Sequence, residues 1–452
     1  MCNVLRDDGI TYHQYVNELT YLLFLKMAQE IGSEQDIPEG CRWKDLVDKA
    51  AETQFDFYRR QLVILGTTGD PVIRTIFANP TSLLRHPESL STLVAKIDEI
   101  DWYNVGREGL GDIYEGLLER NASEKKSGAG QYFTPRPLIE TIVSVVKPQA
   151  GDVVHDPAAG TGGFLVVAND YVSKSAMDGS SATFVGVELV QDTHRLLLMN
   201  AILHGMRGEF IHGDSLSAEY AARIPPADIV LTNPPFGTKR GSGLPGRRDL
   251  PHPTTSKQLA FLQHIYLGLK PGGRAAVVVP DSVLYEGHAG KQVRRDLLDL
   301  CNLHTILRLP DGIFYASVTT NVLFFNRDER GTKDVWIYDM RSNMPAYGKR
   351  SPLRRADFED FEAAYGEDSH GRASRIDQGA RGRFRRFTRD EIEERDLDLS
   401  ISWLRDDRHG AQDTSTDFEE ITVRLRLLLE GVIEDFEQLV EDLPALDPEP
   451  RV

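Results

Sequence analysis

From about residue 151 onward, short apolar runs alternate with stretches of helical period, and no other feature constrains the fold of this chain as tightly. The runs fall at 152–155, 183–187, 210–211, 228–231, 274–279, 303–309 and 320–325. Strands separated by helices do not pair as hairpins; they build a mostly parallel sheet with helices on both faces. The expected class is therefore α/β, doubly wound. Such a sheet binds ligands in the crevice outside the carboxyl ends of its strands. The residues that follow each run are the ones to read for function.

Ahead of this pattern, residues 1–125 read as helical. Tyr15, Leu19, Leu22, Leu23, Lys26 and Met27 follow helical spacing, and Asp112-Ile-Tyr-Glu-Gly-Leu-Leu-Glu119 gives another amphipathic segment. A polar stretch, 121–130 (NASEKKSGAG), marks a boundary. It separates a helical N-terminal domain, 1–125, from an α/β domain, 126–410. A third element, 411–452, carries Phe418, Ile421, Leu425, Leu428, Val432, Phe436, Leu439 and Leu443 at steps of three and four. These make one apolar stripe on a long helix. The stripe either packs on its own body or docks against a partner, and its place at the chain end favours the partner. Residues 327–410 show no clear pattern beyond a basic segment, 372–386, with six arginines against the single acid Asp377. A phosphate contact and a solvated loop are both open readings of it.

The 452 residues hold 52 basic and 69 acidic side chains, a net charge of −17. Phosphate binding rests on Lys and Arg, so this balance excludes a protein that coats nucleic acid with its whole surface. A local basic cleft on an acidic body stays compatible with it. Cys2, Cys41 and Cys301 lie far apart without a CxxC pair or Cys/His cluster, so neither a disulfide framework nor a metal site is expected. No cationic head with an apolar run opens the chain, and the longest apolar runs are strand-length. The expected compartment is the cytoplasm, with no membrane partner.

Three acids stand at three successive strand ends. Asp156 opens Asp156-Pro-Ala-Ala-Gly-Thr-Gly-Gly-Phe-Leu165, where Gly160, Gly162 and Gly163 allow a tight turn and close approach of a ligand. A dinucleotide fingerprint requires glycine where Leu165 stands, and a carboxylate beside the loop repels a pyrophosphate. Asp156 suits a ligand with an ammonium group and no phosphate, such as S-adenosylmethionine. Glu188 ends the second run, where a carboxylate accepts from ribose hydroxyls. Asp214, in His212-Gly-Asp-Ser215, is placed to accept from an adenine amino group. Any one of these acids alone reads as a helix cap or a surface acid.

The most informative motif is Thr232-Asn-Pro-Pro-Phe-Gly237, directly after the run at 228–231. Two prolines end the ladder and fix the backbone, so that carbonyls point outward. An exocyclic amine is a poor nucleophile because its lone pair is delocalised into the ring. Accepting both of its N–H bonds, through the Asn233 side-chain oxygen and the Pro234 carbonyl, localises that pair. Pro235 stiffens the turn, and Phe236 offers a face on which an extruded base stacks. Upstream, Gly130-Gln-Tyr-Phe-Thr-Pro-Arg-Pro-Leu138 reads as a lid: Thr134 caps a helix with Pro135 at its first position, and Tyr132 and Phe133 cover the cofactor or pack in the core.

GQYFTPRPLIETIV, DPAAGTGGFL, GVE, HGD and TNPPFG, in this order, resemble the class I adenine-N6 DNA methyltransferases with an amino-terminal cofactor lid. The opening CNVLRDDG with Tyr21-Leu-Leu-Phe-Leu-Lys-Met27 is similar to the helical N-terminal domain of the M subunits of type I restriction–modification systems. The resemblance implies a seven-stranded sheet, S-adenosylmethionine as donor, and adenine in double-stranded DNA as acceptor. It assigns Asp156, Gly160, Thr161 and Gly162 to the methionine end, Glu188 to the ribose and Asp214 to the adenine. Asn233, Pro234, Pro235 and Phe236 then hold the flipped base. It further implies a separate specificity subunit, commonly with two M per S, a restriction subunit that supplies ATP chemistry and cleavage, and 411–452 as a docking helix. The chain begins inside the first helical segment usual in such subunits, so the expected native start lies upstream.

The insertion 238–256 contains Lys239, Arg240, Arg247 and Arg248 amid Gly and Pro, and reads either as a loop touching DNA phosphates or as a solvated one. Methylation of RNA or of a protein glutamine is the second enzymatic reading, because Asn-Pro-Pro-aromatic turns serve there too. A non-catalytic scaffold is the third, and the four intact residues Asp156, Glu188, Asp214 and Asn233 argue against it.

Overall fold

A layer of five helices opens the described chain: α1 (Tyr12–Glu30), α2 (Trp43–Val47), α3 (Ala51–Thr67), α4 (Pro71–Ile76) and α5 (Pro87–Asp98). The computed structural model describes residues 12–100, apart from 81 and 83, and 134–404, apart from 177–178, 238–246, 248, 315–317, 346 and 349–350. The expected segment 112–119, the linker 121–130, Tyr132, Phe133, Lys239, Arg240, Arg248 and the stripe over 411–452 lie outside the described residues. The helical expectation for the N-terminal region holds over the described part. Helix α1 is not amphipathic, however: every side chain from Glu18 to Ala28 is buried. A helix buried all round is a core helix. Lys26 sits within it only because Asp98 and Glu30 take its ammonium at 2.9 and 2.7 Å.

The α/β part follows as α6 (Arg136–Val146), β1 (Val153–Asp156), α7 (Gly163–Ser175), β2 (Thr183–Glu188), α8 (Gln191–Leu203), β3 (Gly208–His212), α9 (Ala218–Ala221), β4 (Ala227–Thr232), α10 (Lys257–Gly268) and β5 (Leu269–Pro280). Next come α11 (Ser282–Tyr285), α12 (His288–Leu300), β6 (Cys301–Arg308), β7 (Thr320–Arg327), β8 (Asp334–Asp339), α13 (Glu359–Tyr365), β9 (Phe384–Thr388) and α14 (Arg389–Glu394). All seven apolar runs are strands. They lie in the order β3-β2-β1-β4-β5-β7-β6, parallel except for β7, which runs antiparallel between β5 and β6.

Among the described residues the sheet has nine strands, two more than the seven expected. β8 pairs parallel with β6, and β9 closes the edge antiparallel to β8. These two come from the region without a clear pattern: arginines interrupt β9, while β8, DVWIYD, is a short apolar run that the sequence reading passes over. In β9, Phe384 is buried in the core on one face of the sheet and Phe387 in the core on the other, while Arg385 and Arg386 between them are not buried, so the strand shows no simple alternation. The end of the basic segment, 384–386, is therefore strand, 372–383 lies outside any strand and is largely exposed, and two of its arginines are committed within the fold. Arg375 donates to the carbonyls of Tyr365 and His304 and to the Thr305 hydroxyl, and Arg383 donates to the carbonyls of Asp339 and Ser342.

One face of the sheet packs under α6 and α7, the other under α10 and α12. The helical layer is no separate core. Leu196, Leu198 and Met199 of α8 belong to the same apolar cluster as Leu22, Phe24, Phe77 and Leu93, and Arg195 donates to the Ala78 carbonyl at 3.2 Å. No helix among the described residues is long and apolar enough to cross a membrane.

Candidate active site

The carboxyl ends of β1, β2, β3 and β4 bring Asp156, Glu188, Asp214 and Asn233 to one edge of the sheet. At the first of these, Gly160 (φ +57) and Gly162 (φ +91) take left-handed conformations that side chains resist. Gly162 caps α7, and a Cβ there would stand 2.7 Å from Leu197 Cδ1. A Cβ on Gly160 would meet nothing within 4 Å, so the turn's outer side is open for a ligand. The Thr161 carbonyl is fixed by Asn200 Nδ2 at 2.8 Å.

Glu188 bridges two strand ends. Its Oε2 accepts from the Gly160 N–H at 2.9 Å and its Oε1 from the Val190 N–H at 2.7 Å, while burial pushes its carboxyl above the usual range. The Gly213 N–H donates to the Glu188 carbonyl at 3.0 Å, which seats the Asp214 loop beside it. Asp214 is half-buried and accepts from Leu216 N–H at 2.9 Å. Asp156 is fully buried; its Oδ1 accepts from the Ala158 N–H at 3.0 Å, and burial raises its pKa to about 7. A carboxyl poised so gains most from a cationic partner.

At the end of β4, Asn233 is 6% exposed, and its Nδ2 donates to Thr134 Oγ1 at 3.0 Å. Its Oδ1 is buried with no hydrogen-bond partner among the described residues. Leaving a buried amide oxygen unpaired costs about 1–3 kcal/mol. With Nδ2 held by Thr134, Oδ1 is the atom presented as acceptor. Pro234 is buried, Pro235 and Phe236 are half-buried, and Phe236 rests against the main core. Gly237 closes the turn: its N–H donates to Gln258 Oε1 and its carbonyl accepts from the Lys257 N–H, both at 3.0 Å.

The expected cap at Thr134 is corrected by one residue. Helix α6 starts at Arg136 with Pro135 as its cap and Pro137 in its first turn. The Thr134 hydroxyl serves Asn233 instead. Arg247 is corrected too. It is 8% exposed and neither solvated nor open to phosphate: Nε and Nη2 clasp Asp249, and Nη1 meets the Ser215 carbonyl at 3.3 Å and His264 Nδ1 at 2.9 Å.

One further strand-end acid escaped the sequence reading. Asp281 follows β5 and is held from four sides, by Arg341 Nη1 and Nη2 at 2.8 and 3.0 Å, Asn321 Nδ2 at 2.7 Å and Thr319 Oγ1 at 2.9 Å. Burial raises its pKa, but Arg341 outweighs this and leaves it below the usual range. The rule that found Asp156, Glu188 and Asp214 applies to it, yet its lone pairs are consumed by these partners. It is a strut between β5, β7 and β8.

Comparison with known proteins identifies the family. The family model described as N-6 DNA Methylase matches residues 105–410. The StySPI methylase subunit of a Salmonella potsdam type I restriction enzyme is 46% identical over 90% of this chain and 87% of its own. The EcoKI methylase subunit of Escherichia coli K12, also of a type I restriction enzyme, is 44% identical over 99% of this chain and 94% of its own. A solved structure from work on complex assembly and conformational transition of the type I R-M system covers 98% of this chain and 97% of its own, with a TM-score of 0.73 at 28% identity. The chain belongs to the N-6 DNA methylase family, among the methylase subunits of type I restriction enzymes.

Proposed function

We propose that this chain transfers a methyl group from S-adenosylmethionine to the N6 atom of an adenine flipped out of double-stranded DNA. It does so as the modification subunit of a type I complex in the cytoplasm. The observation that carries the reading is Asn233 Oδ1: a buried acceptor without a partner, its orientation fixed through Nδ2 by Thr134.

The open left-handed turn and the buried acids fit the donor. Asp156 complements its ammonium, Gly160, Thr161 and Gly162 cradle its methionine end, Glu188 accepts from the ribose hydroxyls and Asp214 from the adenine amino group. Tyr132 and Phe133, outside the described residues, are the proposed cover. Bound here, S-adenosylmethionine would supply the electrophile, a methyl carbon on a sulfonium that would leave as the thioether, and the surplus N–H proton of the methylated amine would pass to solvent. The chain supplies alignment. Asn233 Oδ1 and the Pro234 carbonyl accept the two N–H bonds of the amine and localise its lone pair, while Pro235 holds the backbone and Phe236 stacks on the base. Positioning and charge complementarity suffice, with no nucleophile from the protein.

Sequence choice falls to a specificity subunit, with two methylase copies per specificity subunit, and cleavage to a restriction subunit. Likeness to a type I assembly supports these partners. The test is co-expression with a specificity subunit, followed by sequencing of the DNA for N6-methyladenine. Methyladenine at one recurring sequence is expected. Methylated RNA or methylated protein glutamine over unmodified DNA overturns the reading.

A further inference from the structure

Arg247 follows the catalytic turn in sequence yet is buried behind it, at a point where three parts of the site meet. Its Nη1 meets the Ser215 carbonyl, one residue beyond Asp214, and His264 Nδ1 on α10. Ser215 in turn donates from its hydroxyl to the Pro157 carbonyl at 2.6 Å, one residue beyond Asp156. The His264 ring lies edge-on to His155, 5.9 Å between centroids, and His155 is the residue before Asp156. Asp249 neutralises the guanidinium at 2.6 and 2.5 Å.

The chemistry of this hub is asymmetric. His264 stays neutral, its pKa pressed down to about 3 by burial and by Arg247, so its Nδ1 can accept from the guanidinium. One planar fork thereby ties the loops after β1 and β3 to helix α10. Lysine keeps the charge but has no such fork. A buried arginine with four donor contacts to three partners is more than a loop anchor, because one of those partners, Ser215, adjoins Asp214 and reaches the Asp156 loop through its own hydroxyl.

We propose that Arg247 is a positioning residue for the nucleoside end of the cofactor site: through Ser215 it sets where the Asp214 carboxylate stands, and so how well the pocket tells an adenine amino group from an oxo group. The proposal rests on the functional reading above.

The test uses the full chain and two probes, S-adenosylhomocysteine and S-inosylhomocysteine, which differ at that one ring substituent, with affinities measured calorimetrically. The intact protein is expected to prefer the adenosyl probe by roughly tenfold or more, the worth of one well-made hydrogen bond in a buried site. Asp214→Asn should erase most of that preference. Arg247→Met should reduce it at least threefold, Arg247→Lys should retain more of it, and Ser215→Ala should show a milder form of the same loss in a fold left closer to native. Equal weakening of both probes in Arg247→Met and Ser215→Ala, with their ratio unchanged, overturns the proposal and leaves a purely structural arginine. No preference in the intact protein instead overturns the assignment of Asp214, and the proposal with it.

Discussion

At the residue scale, what separates the working side chains from the structural ones is which lone pairs remain uncommitted. Asp281 and Asn233 both stand at strand ends, but Asp281 is held by four donors, whereas Asn233 Oδ1 has none among the described residues. Thr134 makes the difference usable. Thr134→Val removes the acceptor of Asn233 Nδ2 and frees the amide to rotate, at a cost of about 1 kcal/mol, or roughly five- to tenfold in kcat. Donor affinity should stay within about twofold in equilibrium binding. Asp156 gives a pH prediction. Burial lifts its pKa from 3.8 to about 7. A raised folded-state pKa means that its contribution to stability is full below the unfolded value and is lost as pH rises through about 7. A ligand ammonium prefers the ionised form, so S-adenosylmethionine affinity should fall as pH drops below about 7. Binding near pH 6 should release a proton, measurable by calorimetry in buffers of different ionisation enthalpy, and Asp156→Asn should abolish that release.

At the element scale, the strands follow from the alternation of apolar runs with helical stretches and the glycine-rich turn from composition, while their order comes only with the fold. All seven expected strands are present; the central ones are buried on both faces and read as plain apolar runs, whereas the edge strand β3 shows only Phe210-Ile211. β8 and β9 are not read as strands from sequence: the edge strand β9, with two arginines in its middle, differs little from a polar loop until its neighbour is known, and β8 is a short run inside a stretch of unclear texture. Thr134 shows the same limit on a smaller scale. A threonine before proline is a good cap by local rules, and only the end of β4, 99 residues away, shows that its hydroxyl is engaged there. The left-handed turn, by contrast, was legible, because only glycine is at ease at Gly162. Gly162→Ala combines φ +91 with a 2.7 Å approach to Leu197 Cδ1. It should cost about 1–3 kcal/mol of stability in chemical denaturation and weaken donor binding as the start of α7 shifts.

At the scale of the whole molecule, the helical layer and the α/β part share a core through α8, the helix that follows Glu188. Removing residues 1–104 would expose Leu196, Leu198 and Met199, so the shortened chain should aggregate or lose its cooperative thermal transition, while the full chain retains it. The boundary expected near residue 125 lies outside the described residues. The net charge of −17 fits a subunit whose contact with DNA centres on one extruded base. Part of that excess lies outside the described residues: 415–452 holds 11 acids and 3 arginines. Whether Asn233 Oδ1 receives the target amine is decided by Asn233→Ala in complex with the specificity subunit. Transfer of labelled methyl groups into DNA and the affinity for S-adenosylmethionine are measured on the same preparation. Transfer should fall by roughly a thousandfold or more while affinity stays within a few-fold of the intact protein. Substantial transfer by that variant would contradict this role of Asn233.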